Sequence, residues 1–242
     1  MSTTDRVNEE ANTVIATDEQ IEQLARDGFA IVPDLIGDTI VNGLVATMEG
    51  AGVTYGRRNL LADFEEVRSI ARSDSVRSIV EPVLGPNVFA ERAIFFDKTV
   101  DANWMVDWHQ DRTIAVRERQ DTPGFSLWTL KADVTHVQPP VAILEQILTV
   151  RLHLDDADEA NGALRVIPGS HRAGFIPEEA VVGWIQRRNP VTCLVPRGGA
   201  LVMRPLLLHA SSKAARPAHR RVLHLEFASH LLPGGLEWAI RM

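Results

Sequence analysis

The chain has 242 residues, a net charge of −7, 45% hydrophobic and 24% charged residues, and a single cysteine, Cys193. This composition is typical of a globular domain. It excludes a basic surface for nucleic acid or anionic lipid, and no apolar run approaches the ~20 residues of a membrane span. A lone cysteine cannot form an internal disulfide and fits a reducing compartment, so we expect a soluble, cytoplasmic protein without a nucleic-acid or membrane partner.

The first third of the chain predicts helices. Its polar, acidic start over residues 1–14 predicts a disordered tail. Thr17 is a predicted N-cap for DEQIEQLARDG, which ends at Gly28, and FAIVPDLI follows as a strand. Two further amphipathic helices are predicted in DTIVNGLVATMEG and SDSVRSIVEPVLG, the second capped by Ser73 or Asp74.

From about residue 87 the apolar pattern changes to short runs that predict strands. The runs are VFAERAIFFDKT, WMVDWHQDRTIAV, ILTVRLHLDD, GALRVIP, VTCLVP, GALVMRPLLLHAS and RRVLHLEFASH. One predicted helix, PEEAVVGWIQRR with Pro177 near its first position, interrupts them. Helices followed by at least seven strands predict a mainly β fold with N-terminal helices, either a jelly roll or an antiparallel sandwich. We expect a single domain over residues 15–242, with helical support over 15–86 and a jelly-roll core over 87–230.

Three pairs of metal-ligating side chains have the spacing H-x-[DE], which puts both side chains on one face of a strand. The pairs are His109/Asp111, His153/Asp155 and His224/Glu226. A third ligand from a later strand would complete two histidines and one carboxylate, the ligand set of non-haem Fe(II) oxygenases. His209, at the end of ALVMRPLLLH, can supply the third ligand for the first two pairs. The third pair is followed only by His230, which lies too close along the chain to belong to a separate facing strand. Any such pair alone is weak evidence, because most lone histidines are hydrogen-bonded core residues.

The chain around His209 favours the first pair. Asp155 opens the segment DDADEANG, where aspartates have turn roles. Arg220 lies eleven residues after His209, at the start of the next predicted strand, and an antiparallel return would bring its guanidinium near the metal. Arginine binds carboxylates through two parallel hydrogen bonds, so this spacing indicates a dicarboxylic oxoacid that chelates the metal at its other end. The alternative is that Arg220 and Arg221 lie on a solvated sheet face.

Three motifs occur in order along the chain: FDKTVDANWMVDWHQD, LHLDDADEANGALRVIPGSHRAG and RGGALVMRPLLLHASSKAARPAHRR. With them the sequence resembles the phytanoyl-CoA dioxygenase family of Fe(II)/2-oxoglutarate-dependent oxygenases. The resemblance implies a double-stranded β-helix, a cupin-like jelly roll, that uses Fe(II), 2-oxoglutarate and O2. It implies iron ligation by His109, Asp111 and His209, and binding of the distal carboxylate of 2-oxoglutarate by Arg220 and Ser211.

The chain departs from the family pattern at two positions. Ala214 stands where many members have an asparagine, and Arg151 stands where many have an aromatic residue beside 2-oxoglutarate. We expect Arg151 and Ile94 to lie beside this co-substrate. Related halogenases have glycine or alanine at the position of Asp111, so that chloride can bind the iron, and the aspartate here indicates that halogenation is not the reaction.

Strand alternation extends these expectations to a substrate pocket, because side chains two residues apart share a face. If Arg220 points inward, His224 and Glu226 point inward as well, and if Arg151 points inward, so does His153. Alternation leaves open the reverse arrangement, with the polar residues in solvent and the leucines in the core. The expected substrate residues are His153, His224, Glu226, Phe96 and Trp108.

The function that these patterns and the resemblance imply is hydroxylation of an unactivated C–H bond in a small polar or carboxylate-bearing molecule, with release of succinate and CO2. We expect the enzyme to be a monomer or homodimer. No CoA-binding feature is visible in the sequence. The alternative classes are a cupin-like metal-dependent isomerase and a metal-free jelly-roll binding module.

Overall fold

The computed structural model describes residues 16–242, so the tail predicted over residues 1–14 lies outside the described part of the chain. The α-helices are α1 (Asp18–Asp27), α2 (Asp38–Gly50), α3 (Leu60–Asp63), α4 (Glu65–Ala71), α5 (Asp74–Leu84), α6 (Val141–Leu144) and α7 (Glu178–Arg187). The strands are β1 (Phe29–Val32), β2 (Phe89–Lys98), β3 (Val106–His109), β4 (Ile114–Val116), β5 (Ser126–Lys131), β6 (Val134–Gln138), β7 (Leu148–His153), β8 (Leu164–Val166), β9 (Val191–Thr192), β10 (Ala200–Met203), β11 (His209–Ser211) and β12 (Arg220–Ala228).

The strands form three antiparallel sheets. The first has the order β1-β10-β7-β12-β2, the second β3-β11-β8-β9 and the third β4-β6-β5. Apolar side chains from β1, β8 and β10 pack together between the first two sheets. The architecture is a double-stranded β-helix with N-terminal helices, which confirms the predicted jelly roll. None of the helices in the described residues combines the length and the hydropathy needed to cross a membrane.

The helix ends follow the local signals in the sequence. Thr17 and Gln20 form a reciprocal capping box at the start of α1, and Gly28 ends this helix in the left-handed region at φ 85°. Ser73 caps α5 by accepting a hydrogen bond from the backbone of Val76. Pro177 is the N-cap of α7 and not its first residue. The caps of α1 and α5 are predictable from sequence because each involves residues within one helical turn.

The N-terminal helices pack against the outer face of the first sheet. Leu152 from β7 and Leu223 and Leu225 from β12 belong to one apolar cluster with buried residues of the helices. The strand β1 leaves the helical region and pairs with β10 at the edge of the same sheet. The outward position of the leucines excludes the arrangement in which the polar residues of these strands face solvent.

The prediction that WMVDWHQDRTIAV is one strand is wrong. β3 ends at His109, β4 begins at Ile114, and Asp111 lies in the connection between them. Gln110 causes the break, because its buried amide donates hydrogen bonds to backbone oxygens of other segments, including that of Leu206 at 2.7 Å. Asp111 therefore does not share a face with His109 by strand alternation.

The prediction that His209 ends a long apolar strand is also wrong. GALVMRPLLLHAS forms two strands, β10 in the first sheet and β11 in the second, and His209 begins β11. The chain changes sheet between them through a turn in which Leu207 donates its N–H to the carbonyl of Arg204. Pro205 cannot donate a backbone hydrogen bond, which ends β10 at this point.

Several elements have no counterpart among the predicted ones. The hairpin of β5 and β6 turns through Ala132 and Asp133, both at positive φ, without the glycine that marks most such turns. The short helices α3, α4 and α6 are also additional. None of these segments has a strong cap or an apolar period long enough to be recognised locally.

A substitution at Gly28 tests the packing at the junction between α1 and β1. A Cβ atom there would lie 2.3 Å from Nδ1 of His171 on a backbone at positive φ, so Gly28→Ala should lower the free energy of unfolding by about 2 kcal/mol or more. Gly43 lies in α2, where a Cβ atom would have no neighbour within 4 Å, and Gly43→Ala should raise stability by about 0.5–1 kcal/mol. Urea unfolding measures both, and equal effects of the two substitutions would contradict the packing described.

Candidate metal centre

Two histidines and one aspartate come together where β3 and β11 pair. His109 and His209 face each other in the antiparallel register, with ring centroids 4.2 Å apart. The carboxylate of Asp111 lies 3.8 Å from Nε2 of His109 and 3.7 Å from Nε2 of His209. The backbone N–H of Asp111 donates to the carbonyl of Pro205, which holds the connection after β3 against the turn before β11. Among residues 16–242, no other group of three or more possible ligands is this close.

The backbone orients both imidazoles. Nδ1 of His109 lies 2.8 Å from the carbonyl oxygen of Asp107, and Nδ1 of His209 lies 2.8 Å from that of Leu207. A hydrogen bond from Nδ1–H to a carbonyl fixes the tautomer and leaves Nε2 with a free lone pair. Both Nε2 atoms point towards the carboxylate of Asp111, as a shared metal ion requires.

The protonation states fit a metal centre. Burial lowers the pKa of His209 to about 4, so its ring is neutral at neutral pH. Removal from water acts to raise the pKa of Asp111, but electrostatic interaction with the imidazoles of His209, His224 and His109 brings it below the ordinary value. Metal ions bind neutral imidazoles and ionised carboxylates. Two nitrogens and one oxygen with positions left open are the donor set of mononuclear non-haem iron.

The other two H-x-[DE] pairs do not form such a group. Both carboxylate oxygens of Asp155 accept hydrogen bonds from Arg221 at 2.8 Å, on the opposite face of the sheet from the centre. His224 donates from Nε2 to Glu226 at 2.7 Å, without a third ligand among the described residues. His153 is buried and neither ring nitrogen has a hydrogen-bond partner within residues 16–242.

A cavity of about 250 Å³ adjoins the three ligands. The predicted site residues that also line it are Ile94, Phe96, Arg151, Ser211, Arg220, His224 and Glu226. Lining residues without a predicted role are Arg58, Arg92, Trp104, Val106, Thr113, Lys131 and Leu164. Most of them come from loops and from strands whose partners are distant in the sequence, and Lys131 ends β5 in a hairpin whose turn has no glycine, so no local pattern marks them.

The structure does not bring Trp108 and His153 to the cavity. Trp108 immediately precedes His109 in β3, so its ring points to the other face, where it stacks with Arg165 at 5.4 Å. His153 does lie on the inner face of β7, opposite Val222, but at the end of the strand and outside the cavity lining.

Arg220 and Arg151 line one end of the cavity, and buried Lys98 lies next to them against the lining residue Ser211. Nε and Nη1 of Arg220 are buried without a hydrogen-bond partner, and burial with repulsion from Arg151 lowers the pKa of Arg220 to about 10. Lys98 donates to the hydroxyl of Ser211 at 2.6 Å, and burial together with both arginines lowers its pKa to about 8. No carboxylate of residues 16–242 forms an ion pair with these cations, so this end fits an anionic ligand.

A continuous chain of buried polar contacts begins at Arg151 and runs along the inner face of the first sheet. Nη1 of Arg151 lies 2.8 Å from Nδ1 of His224, Nε2 of His224 lies 2.7 Å from Glu226, and Glu226 accepts a hydrogen bond from Arg92. A neutral His224 with its proton on Nε2 satisfies both neighbours. Burial acts to raise the pKa of Glu226, but Arg92 and His224 hold it below the ordinary value, so the carboxylate is ionised.

A β-bulge follows directly on Arg92, which itself reaches this chain of contacts by regular alternation with Ile94 and Phe96. Arg92 is opposite Glu226 and Ala90 is opposite Phe227, so Glu91 is an extra residue in β2. The bulge lets two successive side chains leave the apolar outer face, which strict alternation would not allow. Glu91 is buried, and burial raises its pKa well above the ordinary value. Glu91 lies 3.9 Å from Nε of Arg92 without a hydrogen bond, so the carboxylate that is hydrogen-bonded to Arg92 is that of Glu226.

A jelly roll with two imidazoles and one carboxylate at an open cavity defines the class of cupin-like proteins with a mononuclear metal centre. Within that class, the family model described as phytanoyl-CoA dioxygenase (PhyH) matches residues 16–222. The chain belongs to the phytanoyl-CoA dioxygenase family, as the three sequence motifs indicate.

Individual relatives are more distant. The ectoine dioxygenase of Bordetella parapertussis is 29% identical over 163 residues, which are 64% of this chain and 49% of the relative, so the chain spans about half the length of that protein. The structure of EctD from S. alaskensis with bound Fe has a TM-score of 0.69 and 18% identity, covering 91% of this chain and 79% of that one. HygX from Streptomyces hygroscopicus with nickel and 2-oxoglutarate has a TM-score of 0.65 and 17% identity, covering 89% and 88%. At these identities the two structures show the shared fold.

We expect His109→Ala, Asp111→Ala and His209→Ala each to weaken Fe(II) binding by more than the roughly 10- to 100-fold typical for partners outside the ligand set. Anaerobic calorimetric titration measures the affinity, with His153→Ala as the matched control because His153 belongs to a competing pair. Full iron affinity in His109→Ala together with loss in His153→Ala would assign the metal to the competing pair.

Proposed function

We propose that the protein is an Fe(II)/2-oxoglutarate-dependent dioxygenase that hydroxylates an unactivated C–H bond of a small polar or carboxylate-bearing molecule, with release of succinate and CO2. The observation that carries the proposal is the combination of two features in one cavity. His109, Asp111 and His209 offer three ligand atoms within 4.8 Å of one another, and Arg220, whose Nε and Nη1 are buried without a hydrogen-bond partner, lines the same cavity.

The three ligand side chains would hold the iron through the two Nε2 atoms and the carboxylate of Asp111. Iron with bound 2-oxoglutarate supplies the activation of O2 and the removal of a hydrogen atom from carbon, chemistry that no side chain provides. The chain's own contribution is to keep both imidazoles in the correct tautomer through the carbonyls of Asp107 and Leu207.

The cationic end of the cavity would hold the co-substrate. Arg220 offers two unpaired N–H groups to a distal carboxylate, and the hydroxyl of Ser211 lies in the same lining. Arg151 and Lys98 add positive charge beside them, since the pKa values of Lys98 and Arg220 are both lowered by neighbouring cations. A bound carboxylate would relieve this repulsion.

The rest of the cavity would hold the substrate. Ile94 and Phe96 form an apolar wall, and His224 and Glu226 present polar groups that are already paired with each other and with Arg92. Paired groups keep fixed orientations and can position a polar substrate without reorganising. The relative that is named ectoine dioxygenase supports a small molecule as the substrate.

We also propose the single domain over residues 15–242, a cytoplasmic location and a monomeric or homodimeric state. The shared apolar cluster between the helices and the first sheet supports the single domain. The composition, with its single cysteine, supports the location.

Anaerobic titration with Fe(II) and 2-oxoglutarate tests the proposed function, because only an oxoacid chelated to the iron gives a visible charge-transfer band. Substrate-dependent formation of succinate over a panel of metabolites then tests turnover. Stoichiometric iron without the band would favour a cupin-like isomerase, and absence of stoichiometric iron would favour a metal-free binding module.

Arg220→Leu should raise the apparent KM for 2-oxoglutarate about thirtyfold or more and leave Fe(II) affinity nearly unchanged, because truncating a buried charge pair typically costs ~2–5 kcal/mol. Arg221→Leu is the matched control, since Arg221 binds Asp155 and Glu49 on the other face of the strand. An increase in KM for Arg221→Leu and not for Arg220→Leu would reverse the assignment.

Glu226→Gln should reduce substrate-coupled succinate formation while Fe(II) and 2-oxoglutarate still bind. The amide keeps the shape of the side chain but no longer balances the charge of Arg92, whose side chain is 11% exposed. Glu237→Gln is the control, because Glu237 pairs with Arg117 at the exposed surface. Equal losses of 2-oxoglutarate binding and of coupled turnover in Glu226→Gln would show a general structural defect instead.

A further inference from the structure

The cavity has a second cationic end. Arg92, Ile94, Phe96 and Lys98 alternate along the inner face of β2, and from Arg92 to Lys98 the strand rises about 20 Å. Lys98 lies at the end with Arg220, which is its antiparallel partner in β12. The apolar side chains of Ile94 and Phe96 separate that end from the end with Arg92.

Two further cations line the cavity together with Arg92. Arg58 belongs to the loop before α3, and Lys131 is the last residue of β5, far away in the sequence. Asn59 ties these segments together by donating from its side-chain nitrogen to the carbonyl of Ala132 at 2.9 Å. The two cations are therefore held at the same place by the fold.

The charges of Arg58 and Lys131 are not balanced by the protein. Within residues 16–242 neither forms an ion pair, and the polar contact of Lys131 is the hydroxyl of Thr113 at 3.4 Å. Two carboxylates, Glu226 and Asp111, attract both cations without pairing with them. Glu226 already accepts hydrogen bonds from Arg92 and His224, and Asp111 belongs to the candidate metal centre. Burial followed by repulsion from Arg92 lowers the pKa values of both Arg58 and Lys131, so an anion between them would be stabilised.

We propose that Arg58 and Lys131 form an anion-binding subsite for the substrate, at the end of the cavity opposite Arg220. A guanidinium and an ammonium beside each other suit a carboxylate or a phosphate group. This inference rests on the proposed function and narrows its substrate to small anions with an apolar segment beside Ile94 and Phe96. The competing explanation is that the two half-buried side chains are neutralised by water and salt alone.

Matched uncharged and charged probes test the subsite. The protein is loaded with Fe(II) and 2-oxoglutarate under argon, so that the Arg220 end is filled, and is then titrated with butanoate, butanamide, butyl phosphate and inorganic phosphate by calorimetry. We expect saturable binding of an anion at millimolar concentration and none of the amide. Butanoate alone would assign the subsite to carboxylates, and the two phosphates alone would assign it to phosphate groups.

Substitutions of Arg58 and Lys131 test whether these two side chains bind the anion. Arg58→Gln and Lys131→Gln should each weaken the bound anion about tenfold, in line with a half-buried charge pair. Arg57→Gln should not, because Arg57 is exposed and pairs with Asp63. Thermal unfolding of each variant checks that the fold is kept.

Equal binding of butanoate and butanamide, unchanged anion affinity in both variants, or no saturable anion binding would each overturn the subsite. The charge-transfer band recorded before the titration tests the proposed function separately. If that band is absent, the proposed dioxygenase function is wrong. Anion binding to the metal-free protein would still support the subsite, provided that Arg58→Gln weakens this binding.

Discussion

The structure depends on burying charged side chains on one face of a sheet whose other face is covered by leucines and helices. An ion taken out of water costs several kcal/mol unless it is paired and hydrogen-bonded. The chain of contacts through Arg151, His224, Glu226 and Arg92 offsets this cost along the middle of the cavity. Strand alternation puts Arg92 on the face where Glu226 needs a counter-charge, and the bulge at Glu91 follows directly beside this pair.

The cations that these contacts do not compensate are concentrated at the two ends of the cavity. Arg220 and Lys98 lie at one end, and Arg58 and Lys131 lie at the other. Natural proteins depart from full internal pairing mainly where function requires it, so unpaired buried charge marks a ligand site better than a charged sequence does. The proposed co-substrate and substrate anions would complete the electrostatic balance that the protein alone leaves open.

The candidate metal ligands depend on long-range pairing in a different way. His109 ends one strand, His209 begins another, and Asp111 lies in the connection held by Gln110. None of the three is positioned by regular alternation within a single strand. Their convergence follows from the register of β3 with β11 and from the hydrogen bond of Asp111 to Pro205. The backbone carbonyls that orient the imidazoles come from the same two strand ends.

The sequence by itself determined the features that depend on neighbouring residues. The capping box at Thr17, the end of α1 at Gly28 and the common face of Arg220, His224 and Glu226 follow from local backbone geometry and strand period. The motifs around His109 and His209 indicated the family. In both cases the signal lies within a few residues along the chain.

Only the tertiary structure decided which distant segments meet. The break at Gln110, the change of sheet before His209, the bulge at Glu91 and the approach of Arg58 to Lys131 all result from contacts between residues far apart in sequence. A local pattern cannot contain these contacts, because the partner group lies in a segment far along the chain, as the backbone of Gly174 and Leu206 does for Gln110. For the same reason alternation predicted the face of His153 but not its distance from the cavity, which depends on how the two sheets close around the centre.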